Sequence, residues 1–438
     1  MVPFIRSAAL AQDDVLKLTL KESIDLALKQ SMLVDSVVEE INALESGRKE
    51  AFTSFLPTLS TSYSYTRLNE APETVTVDLT KTPPVMKPAP AGTRDNYTWD
   101  LTLMQPLFTG GKLLETYRIS RLGVDASRLD AMTTVQDLVE TVTETYFSIL
   151  KAERMLDVAR QSLDRLEAHL ETARSFYEVG MIPRNDLLYA EVEVAGGQQN
   201  LVLAENGVQL AKARFNTLLR RDIDLPVEVE DILHYRSFDK EFGACLALGL
   251  DSRPEIKARE VRLEQAQRAV SFAKGDYYPS LSVGGTYSRF GDTPGVDGNG
   301  YQDRESWYLI AVAEWDLWEW GRTKHSVDAS SSRERQARNS LSFVRDQVAL
   351  EIKSSYLLLR EAEKRILVSE KAIEQAEENF RINEERYREQ VATSTDVIDA
   401  QTLLTKTKSD YFNALSDYNV ALKKLERSMG VIHTEYPF

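Results

Sequence analysis

YEVGMIPRNDLLYA at residues 177–190 and YREQVATSTDVIDA at residues 387–400 are two versions of one segment. Tyr177, Asp186 and Ala190 of the first version have identical residues at the same places in the second. Further identical pairs, each as far apart in the chain as Tyr177 and Tyr387, are Leu107/Leu317, Gly111/Gly321, Tyr146/Tyr356 and Ala152/Ala362. Repetition at a fixed separation indicates one structural unit present twice. Each copy is expected to contain a helix, two strands, a very long helix, a break and a returning helix.

The separation is larger upstream of Leu107, where Ala51 and Pro57 match Ala273 and Pro279. The first copy therefore holds 12 additional residues between Pro57 and Leu107. We expect them in the proline-rich stretch 81–92 (KTPPVMKPAPAG), whose composition predicts a loop. The separation of Ala51 from Ala273 is called the upstream separation below, and that of Leu107 from Leu317 is called the downstream separation.

Apolar and small residues recur at alternating spacings of three and four around each break. Before the first break they are Leu156, Ala159, Leu163, Leu166, Leu170 and Ala173, and the series resumes from Leu187 to Leu218. The second copy repeats it from Ile366 to Tyr387 and from Val397 to Ser428. A sustained period of 3.5 residues predicts coiled-coil packing. A helix over 112–177 would be roughly 100 Å long at 1.5 Å per residue, and the charged residues between its heptad positions indicate an aqueous setting.

Four shorter segments are predicted to be strands: 58–66, 96–103, 280–289 and 306–315. In the first three, aromatic and aliphatic residues alternate with serine, threonine and other polar residues, whereas the fourth is apolar on both faces over part of its length. Such segments are typical of a barrel with a lipid-facing exterior and a wet lumen. A soluble sheet buried on one face is the alternative. The aromatic residues that could form interfacial girdles are Tyr63, Tyr65, Trp99, Tyr287, Trp307 and Trp315.

Strand count favours the barrel. Four strands cannot enclose a useful bore by themselves, and the flanking helices are too long to cover a small sheet. Several copies that each donate four strands would close the sheet and remove its edges, which lipid does not tolerate.

Composition excludes several classes of protein. No stretch approaches 18 consecutive apolar residues, so a transmembrane helix is not expected. The net charge of −15 argues against a nucleic-acid partner, which needs a basic surface. Cys245 is the single cysteine, and the four histidines have neither metal-ligand nor catalytic spacing, so no cofactor or metal is expected. His169, beside a heptad position, is predicted to be a solvated surface residue.

The N-terminus has the features of an export signal. Ala9-Leu10-Ala11 precedes the polar stretch Gln12-Asp13-Asp14, as at a signal cleavage site. The predicted organisation is a signal remnant with an N-terminal segment (1–17), a first repeat (18–220), an equatorial linker (221–250), a second repeat (251–430) and a C-terminal tail (431–438).

The chain resembles the TolC-like outer membrane efflux proteins. The resemblance runs from Leu18 to Gly430 and includes the duplication. The motifs that carry it are FLPTLS around Pro57, YYPSLS around Pro279, QPLFTGG at 105–111, DLWEWG at 316–321 and the two break segments.

This resemblance implies a mixed, mainly α fold and a homotrimer. Four strands from each subunit would form one twelve-stranded β-barrel in outer-membrane lipid, and the long coiled-coil helices would form a helical barrel in the periplasm. The breaks would be hairpin tips at the far end, where a periplasmic adaptor docks and connects the duct to an inner-membrane pump. The tip residues matched for docking are Val179, Gly180, Met181, Pro183, Arg184, Asp186, Val391 and Thr395.

The resemblance also implies a gate rather than a catalytic site. Asp396 and Asp399 match the two aspartates that line the constriction in this family. They lie three residues apart at the start of a helix and so share a face. Three copies would form two rings of carboxylates that repel one another and attract cations. The alternative for Asp396 is a capping role after Thr395, and Asp186 is matched to a cap or an inter-hairpin partner.

The second tip departs from the family pattern. It has Glu389-Gln390 where a glycine is usual, and Ala392 stands near the place of an arginine that holds the tip closed. Arg184, Arg386 and Arg388 are the candidate substitutes.

The sequence also bears on three alternative functions. An enzyme is disfavoured, because Gly110-Gly111-Lys112 lacks the rest of a phosphate-binding loop. A soluble periplasmic coiled-coil scaffold or adaptor would explain the helices but not the strands. Within the duct hypothesis, the sequence does not distinguish efflux of small molecules from protein export.

Overall fold

The computed structural model describes residues 16–432. Residues 1–15 of the predicted signal remnant and N-terminal segment (1–17) and the last six residues of the chain lie outside the described part. Up to residue 220 the elements are β1 (Leu16–Leu18), α1 (Leu20–Gln30), α2 (Met32–Thr53), β2 (Thr58–Arg67), β3 (Glu73–Asp78), β4 (Val85–Pro90), β5 (Asp95–Thr109), α3 (Lys112–Glu178) and α4 (Arg184–Leu218). Beyond it they are β6 (Val227–Val229), α5 (Phe242–Ser252), α6 (Pro254–Lys274), a short 3₁₀ helix (Gly275–Tyr277), β7 (Ser280–Gly291), β8 (Glu305–Glu314), α7 (Arg322–Arg388) and α8 (Ser394–Ser428).

The element bounds repeat at the separations read from the sequence. Helices α7 and α8 begin and end at the residues that correspond, at the downstream separation, to the ends of α3 and α4. Helix α5 corresponds in the same way to α1 at the upstream separation. The very long helix and its returning partner are therefore confirmed in both copies. The ranges assigned to the repeats and the linker remain a prediction.

Close contacts divide the described residues into two units. The helical unit consists of residues 16–39, 128–258 and 342–432, and the strand unit consists of residues 40–127 and 259–341.

Three heptad residues, Leu163, Leu166 and Val194, take part in a buried packing cluster of the helical unit. Leu163 and Leu166 of α3 are buried in one cluster with Val194 of α4 and Ile398 of α8. Gly197 lies against the same two leucines, and a Cβ there would come within 3.1 Å of Leu166 Cδ1. The small residues in the heptad thus let neighbouring helices approach closely.

Tyr146 joins the helical core to the short parallel pair β1·β6. Its ring is fully buried, and its hydroxyl lies 2.8 Å from Glu230 O and 3.1 Å from Leu18 O. Burial raises the pKa of Tyr146 to about 12, so the phenol remains a hydrogen-bond donor at all ordinary pH values.

Two buried arginines bond carboxylates of several helices elsewhere in the helical unit. Arg427 is 6% exposed and donates to Asp137 Oδ1 at 2.5 Å and Glu255 Oε1 at 2.6 Å. Arg253 is 4% exposed and bonds Glu255 and Glu351, both at 2.8 Å. The two arginines share Glu255, so residues from α3, α6, α7 and α8 form one connected set.

The strand unit contains an antiparallel four-stranded sheet in the order β2-β5-β7-β8. Its strands match the four predicted segments, with β5 longer than expected. The pairing inside each copy is the same, since Thr58↔Met104 in the first corresponds to Ser280↔Glu314 in the second. The middle pairing, β5·β7, joins the two copies and contains one irregularity between Pro106 and Phe108.

The two faces of the sheet differ as the alternation predicts. On one face Tyr65 stacks on Tyr97 and Trp99 meets Tyr287 edge-on. On the other, Asp100 accepts hydrogen bonds from Ser62 and Ser288. Strand β8 carries exposed apolar residues on both faces. The outer strands β2 and β8 each pair on one side only among the described residues.

The predicted loop at 81–92 is wrong in part. Val85–Pro90 forms strand β4, which pairs with β3 in a separate two-stranded hairpin. Pro88 and Pro90 lie two residues apart, so their missing N–H groups fall on the same side of the strand. Proline is compatible with an outer strand in this arrangement, because the side of the strand that lacks the two N–H groups has no neighbouring strand to bond.

Within residues 16–432, every helix is too short or too polar to cross a bilayer.

Candidate functional site

The two breaks are tight turns that end one helix and start the next. At the first, Gly180 has φ 78°, and the N–H of Met181 bonds Phe176 O at 2.8 Å. At the second, Gln390 occupies the same place with φ 62°, and Val391 N–H bonds Arg386 O at 2.8 Å. The second turn therefore keeps the glycine geometry with a non-glycine residue, at a cost in backbone strain. Gln390 Nε2 also lies 3.0 Å from Met181 Sδ, which links the two tips.

Helix α8 begins with a capping box formed by Thr393 and Asp396. Asp396 Oδ2 accepts hydrogen bonds from the backbone N–H and the hydroxyl of Thr393, both at 2.8 Å. These bonds, with the nearby charge of Arg386, lower the pKa of the Asp396 carboxyl. The N-cap residue is thus Thr393, and Asp396, for which a capping role was the alternative, takes part in the capping box from the third helical position.

Asp399 lies one turn further along the same face of α8. Its side chain is exposed, and within residues 16–432 it has neither a hydrogen bond nor an ion pair. The two predicted gate residues therefore differ: Asp396 is fixed by its cap, whereas the Asp399 carboxylate projects freely.

The residues predicted for docking lie together at the tips. Val179, Met181 and Val391 are apolar and more than half exposed, and grouped exposed apolar side chains are typical of an interaction surface. Pro183 and Arg184 begin α4 and are exposed, as is Thr395 in α8. Asp186 is half-buried and accepts a hydrogen bond from Asn185 at 3.0 Å.

The candidate locking arginines have different surroundings. Arg386 donates to Val391 O at 3.3 Å within its own turn, and Arg388 pairs with Glu384 at 2.7 Å. Both interactions stay within the second hairpin.

His169 is not the solvated surface residue that the heptad position suggested. Its Nε2 lies 2.8 Å from the hydroxyl of Ser394, the first residue of α8, and Ser394 is 1% exposed. The imidazole packs on Tyr387, with ring centroids 4.8 Å apart, and the ring of Phe176 also contacts that tyrosine, at 5.5 Å. Burial lowers the pKa of His169 to about 4, so the ring is neutral at physiological pH. The prediction failed because the partner, Ser394, is far away in the sequence and belongs to the other copy.

We expect His169→Ala to loosen the start of α8. The change leaves the buried Ser394 hydroxyl unpaired, at about 1–3 kcal/mol. Trypsin cleavage after the tip residues Arg184 and Arg388 should then accelerate by about tenfold for each 1.4 kcal/mol lost. Ser394→Ala is the matched partner in a double-mutant cycle. If the two effects add fully, the residues are not coupled and the interpretation fails.

The sequence of this chain matches that of a known protein family. Residues 23–219 and 246–431 match the model of the family described as outer membrane efflux protein. The chain belongs to this family. The two matched stretches lie in the two copies of the duplicated unit. Membership confirms the resemblance and makes the protein an outer-membrane exit duct, in a family and fold of channels rather than enzymes.

Individual relatives of this outer membrane efflux protein are distant. It is 23% identical to outer membrane protein TolC of Vibrio cholerae over 68% of this chain and 69% of the relative. It is 21% identical to alkaline protease secretion protein AprF of Pseudomonas aeruginosa over 97% of this chain and 86% of the relative. The crystal structure of outer membrane protein VceC from Vibrio cholerae matches with a TM-score of 0.77 at 17% identity, over 94% of this chain and 96% of that one. The fold class is thereby confirmed.

Proposed function

We propose that three copies of this chain assemble into one passive duct, with a twelve-stranded barrel in the outer membrane and a helical tunnel in the periplasm. The four-stranded sheet carries the proposal. Its aromatic face suits lipid, and its polar face, with Asp100, Ser62 and Ser288, suits a water-filled lumen. Its outer strands would leave unpaired backbone groups in lipid unless other copies cover them.

The tips of the two hairpins form the closed end of the proposed duct. Asp396 and Asp399 would repeat in three copies and form two rings of carboxylates on the axis. Asp399 would supply an exposed charge that attracts cations, whereas Asp396 also anchors the start of α8 through Thr393. No catalytic step is part of this proposal.

The exposed tip residues are the proposed docking surface for a periplasmic adaptor, which connects the duct to an inner-membrane pump. Val179, Met181 and Val391 would bury their apolar side chains against the adaptor, and Arg184 supplies a charge at the rim. The pump selects the cargo in this arrangement, so the duct serves either small-molecule efflux or protein export.

Single-channel conductance in a planar bilayer tests the gate. In a salt gradient, Asp399→Asn should reduce cation selectivity. The double variant Asp396→Ala, Asp399→Ala should enlarge the openings by on the order of two-fold, because it also removes the capping box. Asp328→Asn, an exposed change on α7 outside the tips, removes the same charge as a control. Equal selectivity in Asp399→Asn and the control would contradict the gate.

A further inference from the structure

A groove runs along α3 between α4 and α8, inside the helical unit. It follows α3 from Met155 to Leu166, which is roughly 16 Å at 1.5 Å per residue. Its volume is about 410 Å³, within the range of sites that hold small molecules. None of the predicted gate or docking residues lines it, so the groove is separate from the tips.

The groove is open because small residues line it on all three helices. Ala159 lies on α3, Gly196 and Ala204 on α4, and Ser409 on α8. A Cβ added to Gly196 would meet nothing within 4 Å, so the space beside it is free. Small residues are also an ordinary means of packing helices closely. The polar groups therefore decide what the groove can hold.

Gln401 of α8 places a buried amide in the groove wall, and one side of that amide has no partner. The residue is 2% exposed, and its Nε2 lies 3.1 Å from Ser162 Oγ and 3.0 Å from Thr405 Oγ1. Within residues 16–432, Oε1 of Gln401 is buried without a hydrogen-bond partner. A half-turn of the amide would leave the Nε2 hydrogens unpaired instead, so either orientation needs one further partner. A ligand in the groove can supply it, and the penalty of an unpaired buried amide favours such a ligand.

Two opposite charges line the groove from different helices. Glu193 of α4 is half-buried, and Lys406 of α8 is exposed. Among the described residues, neither side chain forms an ion pair. A ligand with an ammonium group for Glu193 and a carboxylate for Lys406 would pair both, through charge-assisted hydrogen bonds.

We infer that this groove is a binding site for a short zwitterionic peptide. The amino terminus of the peptide pairs with Glu193, its carboxyl terminus pairs with Lys406, and a backbone N–H donates to Gln401 Oε1. A free amino acid carries both charges but has no peptide N–H for the amide. The inference goes beyond the proposed duct, and no part of the duct or the gate depends on it.

Calorimetric titration of the detergent-solubilised protein with trialanine tests the site. Saturable binding of one peptide per chain is expected. Trialanine with an acetylated amino terminus and an amidated carboxyl terminus has the same length but neither charge, and it should bind at least about tenfold more weakly. Free alanine should also bind at least about tenfold more weakly, because it lacks the peptide N–H.

Variants assign the binding to the groove. Gly196→Leu fills the space and should abolish the binding of trialanine. Gly207→Leu is the matched control, because Gly207 lies on the same helix, a Cβ there also meets nothing within 4 Å, and the residue is outside the groove. Both changes raise the helix propensity of α4 alike. Glu193→Gln, Lys406→Gln and Gln401→Met should each weaken binding by about tenfold.

The outcomes are distinct from those of the conductance test of the gate. Unchanged binding in Gly196→Leu, equal binding of the uncharged peptide, stronger binding of free alanine or no saturable binding at all would each overturn the inference and leave the proposed duct in place. Binding that is lost in Gly196→Leu, kept in Gly207→Leu and dependent on both charged ends supports it.

Discussion

Replacing Arg427 with methionine is expected to lower the free energy of unfolding of the helical unit by about 1.5–3 kcal/mol, since it removes the hydrogen bonds between a buried guanidinium and two carboxylates. Arg427 is 6% exposed and bonds Asp137 and Glu255, and removal of its guanidinium leaves those carboxylates without that partner. The stem of methionine fills much of the space, so the loss is mainly electrostatic. Urea unfolding in detergent, followed by circular dichroism at the helical band, measures it.

Arg381→Met is the matched control. Arg381 also bonds two carboxylates, Glu378 at 2.6 Å and Glu385 at 2.7 Å, but its side chain is 53% exposed. Exposed pairs contribute about 0–1 kcal/mol, because water solvates the partners when the pair is broken. Equal losses in the two variants would show that burial does not govern the contribution of Arg427.

The same ion-pair network should also make the stability of the protein depend on pH. The pKa of Glu255 is lowered below its ordinary value: burial acts in the opposite direction, and the charges of Arg253 and Arg427 outweigh it. A carboxyl whose pKa is lower in the folded state stabilises fully above its unfolded pKa, about 4.3, and loses that contribution as the pH falls through the folded value. The native protein should therefore lose stability below about pH 4.3. Arg427→Met should have a smaller loss over the same range.

Gly110→Ala is expected to cost the strand unit about 2–4 kcal/mol, from an unfavourable left-handed backbone together with a steric clash. Gly110 has φ 64°, and the added Cβ would meet the carbonyl oxygen of Gly275 at 2.1 Å. That oxygen belongs to the backbone of the short 3₁₀ helix, so it cannot rotate away as a side chain would. Tryptophan fluorescence reports the change, because all five tryptophans lie in the strand unit.

Gly111→Ala separates the two contributions. Gly111 has φ 84°, but a Cβ there meets nothing within 4 Å. Only the backbone cost of about 1–2 kcal/mol is expected. If both alanine variants unfold at the same urea concentration, the close approach of Gly110 to Gly275 does not contribute to the cost of Gly110→Ala.

The local sequence pattern predicted most of the secondary structure. The helices α3, α4, α7 and α8 follow from the heptad, and the four strands of the main sheet follow from alternation, because both are periodic properties of neighbouring residues. The hairpin β3·β4 was missed since proline content indicated a loop, whereas the prolines share one side of an outer strand.

The candidate site was predictable only in outline. The sequence identified the tips and the two aspartates, and the family resemblance gave them a role. It did not reveal that Thr393 caps α8 or that Gln390 keeps a left-handed turn without glycine. These are choices among local geometries that differ by about 1 kcal/mol, which residue type alone does not resolve.

By itself, then, the sequence determined the duplication, the long helices and the strands. Only the tertiary structure decided which distant residues meet: Ser394 with His169, Arg427 with Asp137 and Glu255, and Gly110 with Gly275. The reason is physical. Periodicity specifies which face of an element is buried, but contacts between residues far apart in the chain depend on how the two copies dock, and no local pattern encodes that arrangement.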